Sequence, residues 1–365
     1  MKLVYFSPVP WHSFSQRPHK FVEWFEKKFD AAVIWIDPYP TRLPVISDYR
    51  RLLRQNLSQT GKKEPSWLKV LRPFSLPVEP LPFSEKINRI FWKKIFDEIA
   101  EFSDESTYLA IGKPSKMAIM AARMFPKKFA LYDGMDDFPA FYAGWSRKSM
   151  LKRETWLIKE ARFVMTSSSL LQRRWTNVRS DVQLVPNGLD VETIPPPNFN
   201  RRKRDIVVFG YVGTVSTWFD WKWIIQLCQL RERDVVRIIG PVLTPPPVFL
   251  PNNLELLPAL AHEEALRAMQ DFDVGLIPFK RTDLTAAVDP IKYYEYRALG
   301  IPVLSTNFGE MVYRINEIGT YITREISDIS ASVEKALTYE AIPAEIDNFK
   351  NRSAWTVRFD KASLC

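Results

Sequence analysis

Cysteine and histidine are scarce in this chain. The two cysteines, Cys228 and Cys365, lie far apart, and with three histidines they offer no metal-ligand spacing. A zinc site and a disulfide framework are thereby excluded from the reading, and a cytoplasmic setting is expected. No stretch approaches the ~18 consecutive apolar residues of a membrane span. The opening MKLVYFSPVPW has one lysine and a proline-broken apolar run, which suits a first strand better than a signal peptide. The Walker lysine and the G-x-G-x-x-G fingerprint are also missing. So are zinc-knuckle, RNP-type and helix-turn-helix signatures, which leaves nucleic acid without support as a partner.

Apolar residues, by contrast, are plentiful. They make up 46% of the 365 residues, and aromatics 13%, enough for the cores of two ordinary domains. The net charge of +9 is unevenly spread: residues 1–185 hold 31 Lys/Arg against 19 Asp/Glu (+12), and the rest 20 against 23 (−3). Such asymmetry suggests that the first half meets something anionic, with nucleic acid, an anionic membrane surface and a phosphorylated substrate all qualifying on charge alone; a solvated basic surface is the alternative.

The first half alternates short apolar runs (KLVYF, AAVIWI, TYLAI, KFALYD, RFVMTS) with helix-like stretches such as HKFVEWFEKKF and PSKMAIMAARMF. That rhythm predicts a mostly parallel sheet covered by helices. Residues 40–82, rich in proline and arginine, read as an excursion, because proline is excluded from central strands. VPNGLDVETIPPPNFNRRKRD, 185–205, reads as a linker. A second series (IVVFGYVG, VVRIIGP, LELLPAL, VGLIPF, IPVLST) then restarts the rhythm. The expected organisation is α/β throughout, with domains at 1–185 and 186–344 and a C-terminal helix at about 345–365 returning to the first.

Four stretches carry candidate chemistry. In DPIKYYEYRALGIPVLST (289–306), Asp289 reads as a helix N-cap, Pro290 as the first helical residue and Gly300 as the left-handed stop. Lys292 and Glu295 share one face near the N-terminus of that helix. In FGYVGTVSTWFDW, Gly213 and Thr214 follow a strand and would let backbone N–H groups approach a phosphate, or simply form a tight turn. In LYDGMDDFPAF, Asp133 reads as structural, whereas Asp136 and Asp137 are candidates for binding hydroxyls or for base work at the sheet's C-terminal edge. In WHSFSQRPHKF, Gln16, Arg17 and His19 lie at the same edge, with helix capping as the alternative for His19.

These residues resemble the bacterial GT-B glycosyltransferases, GT4-like, of cell-surface polysaccharide biosynthesis. YVGTVSTWFDWKWI, VRIIGPV, FDVGLIPF and DPIKYYEYRALGIPVLST follow in the family's order, and the last is similar to its (N/D)-P-x-K-x-x-E-Y segment with A-x-G-x-P-V after it. QRPHKF, YDGMDDFPAF and VPNGLD resemble further segments of the same enzymes. The resemblance implies two Rossmann-like domains facing across a cleft, with a nucleotide-diphosphate sugar, most often UDP-type, as substrate. It implies neither a metal nor another cofactor.

It further implies a donor site on the second domain. Lys292 would neutralise the diphosphate, Glu295 would hold the ribose hydroxyls, and Gly213 and Thr214 would approach the phosphates. Asp289, Pro290 and Tyr294 fall in the same donor segment. Gln16 and Arg17 would contact the acceptor, a glycan or lipid-linked glycan. Asp136, Asp137 or His19 would be the base if the reaction inverts. Retaining members commonly carry a glutamate where this chain has Ala287, and their Arg-x4-Lys pair is not evident after the glycine loop, so inverting and retaining outcomes both stay open.

INRIFWKKIF in the basic half suits peripheral attachment to the inner face of the cytoplasmic membrane. Its Ile87, Ile90, Phe91, Ile95 and Ile99 equally suit a core-facing helix. The alternatives to a transferase are a GT-B sugar-nucleotide epimerase and a catalytically degenerate scaffold.

Overall fold

A computed structural model describes residues 1–41, 64–76, 79, 84–200 and 205–362. The interior of the excursion, the basic cluster 201–204 and Cys365 lie outside the described residues. The chain divides into two compact units, Met1–Val185 with Phe359–Cys365, and Pro186–Arg358.

In unit 1, strands β1 (Lys2–Phe6), β2 (Ala32–Ile36), β3 (Leu68–Leu71), β4 (Thr107–Ile111), β5 (Phe129–Gly134), β6 (Phe163–Thr166) and β7 (Gln183–Leu184) form one parallel sheet in the order β3-β2-β1-β4-β5-β6-β7. Its helices are α1 (Arg17–Phe29), α2 (Ser84–Phe102), α3 (Lys116–Met124), α4 (Gly144–Glu160) and α5 (Ser169–Thr176). The continuous apolar runs of β1 and β2 are buried on both faces, as parallel strands require. Strand order reverses at β1, which places a crevice at the C-terminal ends of β1 and β4.

Two sequence expectations change here. The excursion contributes a real strand: β3 pairs with β2 and buries Leu68 and Leu71. It sits at the sheet's edge, the one place where a short strand among prolines is tolerated. The apolar positions of α2 also split. Trp92, Ile95, Phe96 and Ile99 enter the core, while Ile87, Ile90 and Phe91 are exposed.

In unit 2, β8 (Val208–Val212), β9 (Val235–Ile239), β10 (Leu254–Leu257), β11 (Val274–Ile277), β12 (Val303–Thr306) and β13 (Thr320–Thr323) form a parallel sheet ordered β10-β9-β8-β11-β12-β13, reversing at β8. The helices are α6 (Trp221–Leu230), α7 (His262–Met269), α8 (Ile291–Ala298), α9 (Ile329–Leu337) and α10 (Pro343–Ser353). One core cluster gathers Tyr293, Tyr294 and Tyr296 of α8 against Leu266, Met269 and Phe349.

Helix α8 ends in a Schellman motif. Gly300, at φ +68°, donates its N–H to the Arg297 carbonyl, and the Ile301 N–H donates to that of Tyr296.

The C-terminal segment stays with unit 2 longer than the sequence suggests. Ile346 and Phe349 are buried, with Phe349 against Tyr293 and Tyr294. The backbone of Leu189 exchanges hydrogen bonds with Ser353 and Trp355. Only from Phe359, within α11 (Trp355–Asp360), does the chain rejoin unit 1, where Phe359 packs on Phe21 and Trp24.

Candidate functional site

The C-terminal edge of the unit 2 sheet collects the loops after β8, β10 and β11. Helix α8 begins after the last of these, with Pro290 at the N-cap position. One turn in, Lys292 Nζ lies 2.5 Å from Glu295 Oε2. His262, the first residue of α7, reaches the other oxygen, Nε2 to Oε1 3.1 Å. Glu295 is buried, which by itself raises its carboxyl pKa; Lys292 and His262 outweigh that and hold it below the usual range. The result is a buried carboxylate, fixed at both oxygens, with lone pairs left to accept from hydroxyl groups.

The loop after β8 supplies backbone. Gly240 brings its chain so close that a Cβ there would stand 2.2 Å from the Gly213 carbonyl oxygen. This approach seats the glycine loop, with the Gly213 N–H donated to Ile239 and the Val215 N–H to Pro241. Thr214 accepts from the Tyr211 hydroxyl at 3.0 Å through its carbonyl, and among the described residues its N–H makes no hydrogen bond.

Asp289, Pro290 and Tyr294 are placed differently from the donor contacts expected of them. Asp289 does not cap α8. Its carboxylate is enclosed, taking the Asn187 N–H (2.7 Å), the Tyr294 hydroxyl (2.9 Å) and Arg314 Nη2 (2.5 Å). Asn187 Nδ2 also donates to the Asp289 carbonyl. With these partners, Asp289 and Tyr294 face inward and lock the start of α8 to the linker, and Pro290 is buried beside them. They position Lys292 and Glu295 from behind. Arg314 and His262 were missed in the sequence, since neither stands in a local pattern that marks it.

In unit 1, Arg17 is also turned inward. Its guanidinium is buried against Asp133 (Nε to Oδ1 3.0 Å, Nη2 to Oδ1 3.0 Å) and donates to the Val185 carbonyl at 2.7 Å. A guanidinium so committed has no surface to offer an acceptor. His19 is fully buried as well. Its Nδ1 accepts the Gln16 N–H at 3.2 Å, which leaves the Nε2 proton for the Trp11 carbonyl at 3.0 Å. It is a neutral helix-capping imidazole with both nitrogens occupied, so it leaves the list of base candidates. Gln16 keeps partial exposure at the same turn.

The two aspartates after β5 differ. Asp137 is buried, with Oδ2 paired to Arg174 at 2.8 Å and, among the described residues, no hydrogen-bond partner on Oδ1. Asp136 is half-buried, and among the described residues its carboxyl has no hydrogen-bond partner. Burial pushes that carboxyl up to about 7, with Arg17 opposing and Asp133 and Asp137 assisting. A carboxyl poised there can take or give a proton near neutrality. Behind it, Glu154 accepts from the Tyr132 hydroxyl at 3.0 Å and is pushed up to about 8, chiefly by burial.

At the strand-order reversal lies a shallow pocket of only about 10 Å³, lined by Ser7, Asp37, Tyr39, Thr41, Lys113 and Ser115. Among the described residues no three of His, Cys, Asp and Glu converge in a group that could hold a metal ion.

Two parallel Rossmann-like units in tandem, with the C-terminal segment returning to the first, constitute the GT-B glycosyltransferase fold. Over its whole length the chain is similar in structure to sucrose-phosphate synthase from Thermosynechococcus elongatus (TM-score 0.70, 11% identity, covering 100% of this chain and 98% of that one). It is likewise similar to Anabaena HepE in complex with UDP-glucose (TM-score 0.68, 13% identity, 100% and 98%). In sequence it is 28% identical over 199 residues to TuaH of Bacillus subtilis, described as a teichuronic acid biosynthesis glycosyltransferase. That match takes in 48% of this chain and spans about half the length of the relative, 50%. No protein-family model matches the chain.

Proposed function

We propose that this protein is a glycosyltransferase that moves a sugar from a nucleoside-diphosphate donor to a hydroxyl of a cell-surface polysaccharide precursor. The observation that carries the reading is the Glu295 carboxylate, held by Lys292 and His262 beside the N-terminus of α8. A nucleoside diphosphate offers what this geometry lacks: ribose hydroxyls to donate to Glu295, and a diphosphate to meet Lys292, the helix N-terminus and the Thr214 N–H. The same donors would stabilise the diphosphate as it leaves. A UDP-type donor is supported by the UDP-glucose in the structure of HepE.

Asp136 takes the acceptor-side role in unit 1. In an inverting reaction it removes the acceptor proton; in a retaining one it orients the acceptor. Ala287, where retaining relatives are expected to carry glutamate, is buried. The polysaccharide setting rests on the description of TuaH.

Release of nucleoside diphosphate from UDP-, GDP- and dTDP-sugars, measured with a panel of glycan acceptors, tests the proposal. Turnover of one donor class, abolished by Glu295→Ala, supports it. A chain that binds and cleaves none of them is not a transferase of this kind.

A further inference from the structure

Of the twelve tryptophans, Trp145 is the one that stands exposed, at 74%. It lies in the first turn of α4, at the C-terminal edge of the unit 1 sheet. Two more exposed rings sit on loops of that edge: Phe14 (63%) after β1, and Phe141 (51%) after β5. The two loops adjoin, because Arg17, just past the first, is bound to Asp133, just before the second.

The ring after β5 is fixed relative to Asp136. The Asp136 carbonyl accepts the Phe138 N–H at 2.9 Å, that of Asp137 the Ala140 N–H at 2.8 Å, and that of Pro139 the Tyr142 N–H at 3.2 Å. Phe138 is buried, with its ring centroid 6.4 Å from that of Phe141, and the Tyr142 hydroxyl lies 3.0 Å from that of Thr41. A tight 3₁₀ turn, Phe138–Phe141, thus holds the exposed ring out, and a surface ordered in advance loses little entropy on binding.

Charge decides what this surface fits. Residues 7–16 hold no Lys, Arg, Asp or Glu, and 135–146 hold Asp136 and Asp137 but no Lys or Arg. Arg174, which reaches the second loop, is paired to Asp137. Exposed aromatics without cations suit neither phosphate nor an anionic lipid surface. They suit a neutral ring with one apolar C–H face and hydroxyls at its rim, which is a pyranose.

We propose that Phe14, Phe141 and Trp145 form the acceptor platform, stacking on the sugar rings of a neutral oligosaccharide so that one of its hydroxyls comes to Asp136. The three rings make no ring contact with one another, so a chain of several sugars covers more of them than a monosaccharide does. The inference rests on the transferase reading for the role of Asp136, and not for the binding itself.

Saturation-transfer NMR of the full chain with neutral mono- to tetrasaccharides of the common hexoses and N-acetylhexosamines is the test. The expected result is a tetrasaccharide that binds about tenfold or more tighter than its monosaccharide. Phe141→Ala and Trp145→Leu should each weaken it about tenfold or more, and Trp145→Phe, which keeps an aromatic face, should retain it. Phe249→Ala, which removes a ring 88% exposed in unit 2, should leave it unchanged. An unchanged unfolding temperature shows that each variant is folded. Glu295→Ala should bind the saccharide as wild type does, so a failed donor site and a failed platform are read apart. The proposal is overturned if no saccharide binds, or if Trp145→Leu binds as well as Trp145→Phe. It is also overturned if the variants keep saccharide binding and lose sedimentation with phosphatidylglycerol vesicles instead.

Discussion

Lys292 and Glu295 form an ion pair one turn apart, Nζ to Oε2 2.5 Å, on a carboxylate whose other oxygen is taken by His262. The pair does more than stabilise a helix. An exposed pair of this spacing contributes about 0.3–0.5 kcal/mol, whereas here it keeps a buried carboxyl ionised where a ligand hydroxyl would meet it.

Glu295→Gln keeps the shape of the side chain and removes its charge. Nucleoside-diphosphate affinity should fall about 10- to 100-fold, or roughly 1.4–2.7 kcal/mol. Isothermal titration measures this. An unchanged Kd would remove Glu295 from the binding site.

Asp136→Asn should lower kcat/KM about 10²- to 10⁴-fold if Asp136 is a general base. With its carboxyl pushed up to about 7, the wild-type rate should also fall on the acid side with a midpoint near that value. A retaining reaction that uses Asp136 only for orientation would show a rise in acceptor KM and no such acid limb.

Glu154 has its carboxyl pushed from 4.5 up to about 8 by burial. Between those pH values the folded protein holds a proton that the unfolded chain has lost, so this group's contribution to stability falls as pH rises through the window. Glu154→Gln removes that dependence. Relative to wild type, its unfolding temperature should rise by roughly 2–4 °C per kcal/mol relieved at about pH 8–9, and change little at about pH 4. Equal shifts at both pH values would contradict the assignment.

Arg17→Ala leaves Asp133 as an uncompensated buried charge and should destabilise unit 1 by about 3–5 kcal/mol in urea unfolding. A variant of normal stability with a raised acceptor KM would instead return Arg17 to the acceptor site.

Arg17 also shows where sequence reading stops. The alternation of apolar runs gave both sheets, and Pro290 and Gly300 punctuated α8, because these signals act over one or two turns. Roles set by distant partners were not legible. Asp289 looks like a cap until Asn187 and Arg314, 102 and 25 residues away, are seen on its carboxylate. Arg17 looks like a surface cation until Asp133 is placed against it, and His262 stands in no local pattern. β3 was hidden by its length, four residues at a sheet edge among prolines. Ile87, Ile90 and Phe91 have the spacing of core residues, and only the packing shows that the core already takes the other side of α2.

The most direct test of the donor site is thermal unfolding against UDP, GDP, dTDP, CMP and NAD. A saturating ligand specific to the folded state at 100 times its Kd adds about 2.7 kcal/mol. The account predicts a clear rise with one nucleoside diphosphate, abolished in both Lys292→Ala and Glu295→Ala. No rise with any nucleotide, or a rise that survives both substitutions, would contradict it.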